Sequence, residues 1–243
     1  GPGSGVRGPK DGTVSVAANL AGVRERIAAA CARSGRDPAG VRIVAVSKTQ
    51  PAEAVAEAVA AGADAIGENR VQEAAAKRPL VAGATPWHLI GPLQRNKARA
   101  ALGLFDVIET VDRPELADRL EGLLAGGSRV LPVFLEVNVG GEAAKSGVTA
   151  EDAAALAAHI LARCPHLRLA GMMTVPPYDP DPERSRPHFA ALRALAAGLA
   201  SRLALPALEL SMGMSEDFEV AVEEGATLVR LGRIVFGERR PLA

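Results

Sequence analysis

The chain has 243 residues, 48% of them hydrophobic and 23% charged, which suits one large globular domain and excludes disorder as its main state. Twenty-eight basic residues balance 28 acidic ones, so no net charge drives the chain toward nucleic acid or an anionic membrane surface. Aromatic residues make up only 3%, too few for base-stacking platforms, and no apolar run approaches the roughly 18 residues of a membrane span. Cys31 and Cys164 have neither metal-ligand spacing nor the number for a disulfide framework, which points to a reduced, cytoplasmic setting.

Gly1-Pro2-Gly3-Ser4 reads as a remnant of tag cleavage, and residues 1–13 as a Gly-rich flexible tail ahead of a single domain over 14–243. A helix is predicted at 15–33 from Val16, Leu20, Val23 and Ile27 at steps of three and four, stopped by the turn that begins Ser34-Gly35. One unit then recurs. The β-branched run 41–46 is followed by an alanine-rich helix from Pro51, and further strands are predicted at 63–67, 87–91, 105–109, 130–138, 167–173, 207–210 and 227–231. Helical stretches at 69–78, 94–101, 113–125, 149–163, 182–203 and 215–224 separate them, with a proline-rich loop at 174–182.

Strands alternating with helices imply parallel pairing and right-handed crossovers. Eight such strands after one extra N-terminal helix predict a closed (β/α)8 TIM barrel, with a doubly wound open sheet as the alternative.

In a barrel the chemistry gathers where strands end. Lys48 closes the first strand, where partial desolvation would favour a neutral amine able to form a Schiff base; a rim lysine paired with a carboxylate is the plainer reading. Ser211-Met212-Gly213-Met214-Ser215 ends the seventh strand, with Ser215 as the expected cap of the next helix. Leu231-Gly232-Arg233-Ile234 ends the eighth, where Gly232 would let backbone approach closely and a further short helix begin. Two loops rich in backbone N–H groups after strands seven and eight form a common phosphate site of such barrels. Arg230, inside the last strand, could face a ligand or bridge carboxylates such as Glu209 or Glu238. His88 could act as a base or be structural, and Asn69 could orient a ligand or cap a helix; Glu68 is expected to anchor a neighbouring polar side chain.

At these residues the chain resembles the pyridoxal phosphate homeostasis protein family, itself similar to the barrel domain of alanine racemases. The resemblance rests on Ala45-Val46-Ser47-Lys48-Thr49, Gly67-Glu68-Asn69-Arg70-Val71-Gln72-Glu73 and Trp87-His88-Leu89-Ile90-Gly91-Pro92-Leu93-Gln94-Arg95-Asn96-Lys97. Lys145-Ser146-Gly147, Gly171-Met172-Met173, Leu210-Ser211-Met212-Gly213-Met214-Ser215, Val229-Arg230-Leu231-Gly232 and Phe236-Gly237 extend it over nearly the whole chain. Arg70 stands where many relatives carry tyrosine, and Arg95 is a variable surface position.

The resemblance implies that Lys48 forms a Schiff base with pyridoxal 5′-phosphate. Ser211, Gly232 and Arg233 would hold the phosphate, with Met212 and Ser215 close by; Arg230 would face the pyridine nitrogen, and Asn69 and His88 would line the pocket near the ring. A cation at that nitrogen disfavours the proton that makes the ring an electron sink. Related racemases compensate with a tyrosine base on an added β-domain. This chain ends at Ala243, and its one tyrosine, Tyr178, falls in the proline-rich loop, so cofactor holding without efficient turnover is expected. The expected role is buffering of the cofactor in a monomeric cytoplasmic protein, with apo-enzymes as recipients and neither nucleic acid nor membrane as partner. A low-activity amino-acid racemase or lyase is the alternative.

Overall fold

The computed structural model describes residues 15–142 and 145–237; the tail predicted over 1–13 lies outside them. Eight strands, β1 (Arg42–Val46), β2 (Ala65–Glu68), β3 (Trp87–Leu89), β4 (Val107–Val111), β5 (Leu131–Glu136), β6 (Leu167–Met173), β7 (Glu209–Ser211) and β8 (Leu228–Leu231), pair in chain order. Every pairing is parallel, and β1 closes on β8 with Arg42 opposite Leu228 and Val44 opposite Arg230. The barrel is therefore closed, and the open sheet is excluded.

Nine helices surround it among the described residues: α1 (Val16–Ser34), α2 (Ala52–Ala60), α3 (Val71–Lys77), α4 (Ala98–Leu104), α5 (Pro114–Leu124), α6 (Ala150–Arg163), α7 (Arg186–Arg202), α8 (Phe218–Glu223) and α9 (Arg233–Phe236). The extra helix α1 starts where Ser15 Oγ accepts from the Ala18 N–H at 3.1 Å and stops at Gly35, whose φ of 67° only glycine adopts cheaply. Its buried stripe of Leu20, Val23 and Ile27 packs toward α8 and α9, and Asn19 Nδ2 donates to Val235 O at 2.9 Å.

Several boundaries shift by one to four residues from expectation, and two of the shifts have a plain structural cause. The helix predicted over 215–224 begins only at Phe218, because Asp217 Oδ1 accepts from the Met214 N–H at 2.8 Å and folds the intervening residues into a turn. Asp217, not Ser215, occupies the cap position. The seventh strand runs later than 207–210, since pairing with β6 sets Glu209 opposite Gly171 and carries the strand through Ser211.

Side-chain alternation divides the barrel into two apolar layers. Val44, Ala65, Phe134, Ala170, Met173 and Leu228 fill the interior, whereas Ile43, Ala45, Ile66 and Leu89 pack outward against the helices. Phe134 fits because Gly171 lies beside it: a Cβ there would come 2.7 Å from the ring and 2.5 Å from the Glu209 carbonyl. A fully buried phenylalanine of this kind contributes about 1.5–3 kcal/mol. Above this plug the inward positions turn polar.

A polar cavity at the barrel mouth

Continuing the inward rows past the strand ends brings Lys48, Asn69, Ile90 and Gly232 to the mouth, two residues beyond Val46, Gly67, His88 and Arg230. A cavity of about 290 Å³ opens there, lined by Val46, Lys48, Asn69, Ile90, Arg230 and Gly232, with Met214, Ser215, Glu216 and Arg233 contributed by the loops after β7 and β8. Lys48 is exposed at its edge, not partly desolvated as expected, because β1 ends at Val46 and the following turn lifts the lysine above the rim. Among the described residues it has no carboxylate within salt-bridge distance, so the rim ion pair is not formed.

Six of the nine site residues inferred from sequence meet in this cavity: Lys48, Asn69, Ser215, Arg230, Gly232 and Arg233. His88, Ser211 and Met212 are not in its wall. His88 points inward but lies two residues below Ile90, which takes the rim. Ser211 is likewise inside the barrel and wholly buried, and Met212, the next residue in the alternation, packs into the layer under the helices.

His88 and Ser211 belong instead to a buried chain of hydrogen bonds beneath the cavity floor. His88 Nδ1 lies 2.6 Å from Glu109 Oε1; Ser211 Oγ donates to Glu109 Oε2 at 2.5 Å and accepts from Arg230 Nη1 at 2.8 Å; Arg230 Nη2 donates to the Thr174 carbonyl at 2.8 Å. Burial pushes the Glu109 carboxyl up, but the His88 bond and charge, the Arg230 charge and the Ser211 bond together hold it below the usual carboxylate value. Burial lowers Arg230, against the raising influence of Glu109, Glu136 and Asp217, and a guanidinium so placed keeps its proton. Of the two carboxylates suggested as partners of Arg230, Glu209 pairs with Arg42 instead, and Glu238 lies outside the described residues.

Glu109 is the residue that sequence reasoning missed. A carboxylate within a short, mostly apolar strand was the available signal, as it was for Glu136, which accepts from Ser146 Oγ at 2.9 Å and which burial pushes up. Glu68 does anchor neighbouring polar groups, taking bonds from Ser47 Oγ and Lys77 Nζ.

The loops after β7 and β8 touch where Ser215 Oγ accepts from the Ile234 N–H at 3.5 Å. Gly213 is required there, since φ is 95° and a Cβ would lie 2.5 Å from that of Ala221. Gly232 differs from expectation: a Cβ would make only ordinary contacts with Val46, at 3.5 and 3.7 Å, so glycine here keeps cavity space open instead of relieving a clash. Arg233 reaches Glu216 in an exposed ion pair. Asn69 does not cap a helix, and its buried Oδ1 has no hydrogen-bond partner. Lys48, Asn69 and Arg230 around a glycine-lined opening suit a small polar ligand.

Elsewhere, tertiary folding gathers Asp118, His159 and Cys164, whose ligand atoms lie within 4.8 Å of one another. His159 Nε2 is 2.7 Å from Asp118 Oδ1, and burial, followed by Asp118 and Glu121, pushes the Cys164 thiol up to about 11. That group stands near the start of β6, at the opposite end of the strands from the cavity.

A model of the alanine racemase N-terminal domain matches residues 18–240 of the chain. A Pseudomonas aeruginosa protein named pyridoxal phosphate homeostasis protein is 47% identical over 228 residues, covering 93% of this chain and 96% of its own. The chain belongs to the pyridoxal phosphate homeostasis protein family. The human relative of that name is 40% identical over 247 residues, 96% of this chain and 90% of its own. Among solved structures, PipY of Synechococcus elongatus with pyridoxal phosphate bound is similar at TM-score 0.80 and 37% identity, over 92% of this chain and all of PipY. D-threonine aldolase from Filomicrobium marinum, at TM-score 0.73 and 18% identity, shares the fold alone, and this chain covers 62% of it.

Proposed function

We propose that this member of the family binds pyridoxal 5′-phosphate reversibly through Lys48 and acts in its intracellular homeostasis, buffering the aldehyde and passing it to apo-enzymes without efficient turnover of its own. The observation that carries the reading is the meeting, in one cavity, of Lys48, Asn69, Arg230 and the glycine-opened loop at Gly232–Arg233.

Bound pyridoxal phosphate supplies an aldehyde that condenses with an amine, releasing water, and a phosphate that anchors it. Lys48 presents the amine at an accessible edge, where exchange with an incoming amine or with water is unobstructed. Gly232, Arg233 and Ser215 hold the anion through backbone N–H groups, the guanidinium and the hydroxyl. Asn69 lines the pocket beside the ligand. Arg230 stands in the cavity wall as a fixed cation braced by Ser211 and Thr174, and discourages protonation of a ring nitrogen near it. His88 and Ser211 act through Arg230 from below. Without a protonated ring, carbanion stabilisation is weak, which suits a carrier better than a racemase or lyase.

Mixing purified protein with pyridoxal phosphate should produce a Schiff-base absorbance band that is absent in Lys48→Ala, with an unchanged circular dichroism spectrum. An unchanged band in Lys48→Ala would refute the assignment. Loaded protein incubated with amino acids in heavy water should show no α-proton exchange at enzyme-like rates, and exchange at such rates would make it an enzyme.

A further inference from the structure

Both neighbours of Lys48 are tied to a buried charge cluster that takes no part in the cavity. Lys77, on the last turn of α3, is only 9% exposed, yet its Nζ has three oxygen acceptors: the Ser47 carbonyl at 2.6 Å, Glu68 Oε1 at 2.6 Å and Glu73 Oε2 at 3.3 Å. Three donors meet three acceptors, which exhausts the ammonium. Ser47 is held again by its Oγ, which donates to Glu68 Oε1 at 2.5 Å. On the other side of Lys48, Glu73 Oε2 accepts from the Thr49 N–H at 2.9 Å.

Thr49 has φ of 63°, a conformation that a β-branched residue adopts only when its surroundings impose it. Among the described residues, only Ala204 shares this departure outside glycine. The cluster lies on the outward side of β2, behind the barrel wall, and neither Glu68 nor Lys77 lines the cavity. An apolar trio would fill such a space at less desolvation cost, so simple filling does not account for three charged groups here. Their directional bonds do: one ends on the peptide before Lys48, another on the peptide after it.

We infer that the Glu68–Lys77–Glu73 cluster is a positioning device for Lys48, clamping the backbone on both sides so that the amine is delivered over the cavity. The inference rests on the proposed role of Lys48. Condensation with an aldehyde anchored by its phosphate depends on where the lysine backbone is held, and a shift of about an ångström in such a constellation costs up to a hundredfold in reactivity. Lys77 and Glu73 are positioning residues in this sense; they touch neither ligand nor reacting atoms.

The test compares two ligands that differ only in the aldehyde. Pyridoxal phosphate reports the covalent link to Lys48, and 4′-deoxypyridoxine 5′-phosphate, which cannot form it, reports the anion and ring subsites alone. In Lys77→Met and in Glu73→Ala, pyridoxal phosphate should bind about tenfold or more weaker while the deoxy analogue stays within about twofold. Glu73→Gln, which retains an acceptor for the Thr49 N–H, should restore near-normal binding. In the ligand-free protein, the Thr49 amide should exchange with deuterium at least about tenfold faster in Glu73→Ala than in wild type and Glu73→Gln.

Equal loss of both ligands, an unchanged ratio in either folded variant, or unchanged Thr49 exchange would overturn the inference. Should Lys77→Met fail to fold, the half-buried position of Glu73 leaves its two variants to decide. Failure of the Lys48 link in wild type would sink the proposed function instead, and the exchange measurement would still judge the clamp.

Discussion

Arg230 and Glu109 do not form a direct ion pair; the hydroxyl of Ser211 stands between them, accepting from the guanidinium at 2.8 Å and donating to the carboxylate at 2.5 Å. The positive charge at the cavity wall is thus neutralised from beneath at one remove. The guanidinium is held in place without a carboxylate entering the site, and Glu109 keeps its bond to His88.

Ser211→Ala should therefore be expensive. It removes one acceptor from a buried guanidinium and one donor from a buried carboxylate, and leaving such groups unpaired costs about 1–3 kcal/mol each. Urea denaturation should show the loss as a lower midpoint with an unchanged slope.

The acid limb of stability should depend on Glu109. Its folded-state pKa lies below the ordinary 4.5, so the folded chain binds fewer protons there than the unfolded one. The stabilisation is fully present above the ordinary value and is lost as pH falls through the folded one. Denaturation midpoints across the acid range should fall more steeply for wild type than for Glu109→Gln, converging at low pH. Glu68 and Glu136 have the opposite sign. Burial raises both, so between the ordinary and the raised value each lowers stability as pH increases.

Glu216 competes with any anion for Arg233. Both groups are largely exposed, the guanidinium side chain at 64% and the carboxylate at 40%, so their pairing is worth no more than about 1 kcal/mol and is screened by salt. Glu216→Gln should tighten binding of pyridoxal phosphate and of inorganic phosphate by about two- to fivefold at low ionic strength. The gain should shrink at high salt, as titration calorimetry would read.

Gly91→Ala should disturb the site from the loop after β3. A Cβ at Gly91 would lie 2.1 Å from the Asn69 carbonyl oxygen and 2.8 Å from its carbon, contacts that no rotamer change relieves. Backbone displacement of this kind costs about 1–3 kcal/mol or more. The melting temperature should drop, and displacement of Asn69 in the cavity wall should read as weaker binding of the deoxy analogue as well as of pyridoxal phosphate.

Much of this molecule can be read along the chain, because its organising rules are local. Apolar runs of strand length alternating with helical stripes set the order of eight strands and helices, and alternation within a strand says which residue points inward. Lys48, Asn69, Arg230 and Gly232 follow from that arithmetic and meet at the mouth. The family motifs named the same positions.

What pattern did not yield is who touches whom across the barrel. His88 and Glu109 lie on neighbouring strands, but Ser211 lies 102 residues from Glu109 in the chain, and their hydrogen bond exists only because closing the sheet brings β7 over β4. The same holds for Lys77: its i,i+4 partner Glu73 is legible along the helix, but only folding buries it against Glu68 on β2. Helix and strand periodicity depends on near neighbours, so sequence alone determined the architecture and the residues at its rim. Burial, charge pairing and hydrogen-bond partnership depend on closure in three dimensions, and it takes the closed barrel to sort the residues that face the cavity from those that hold it from behind.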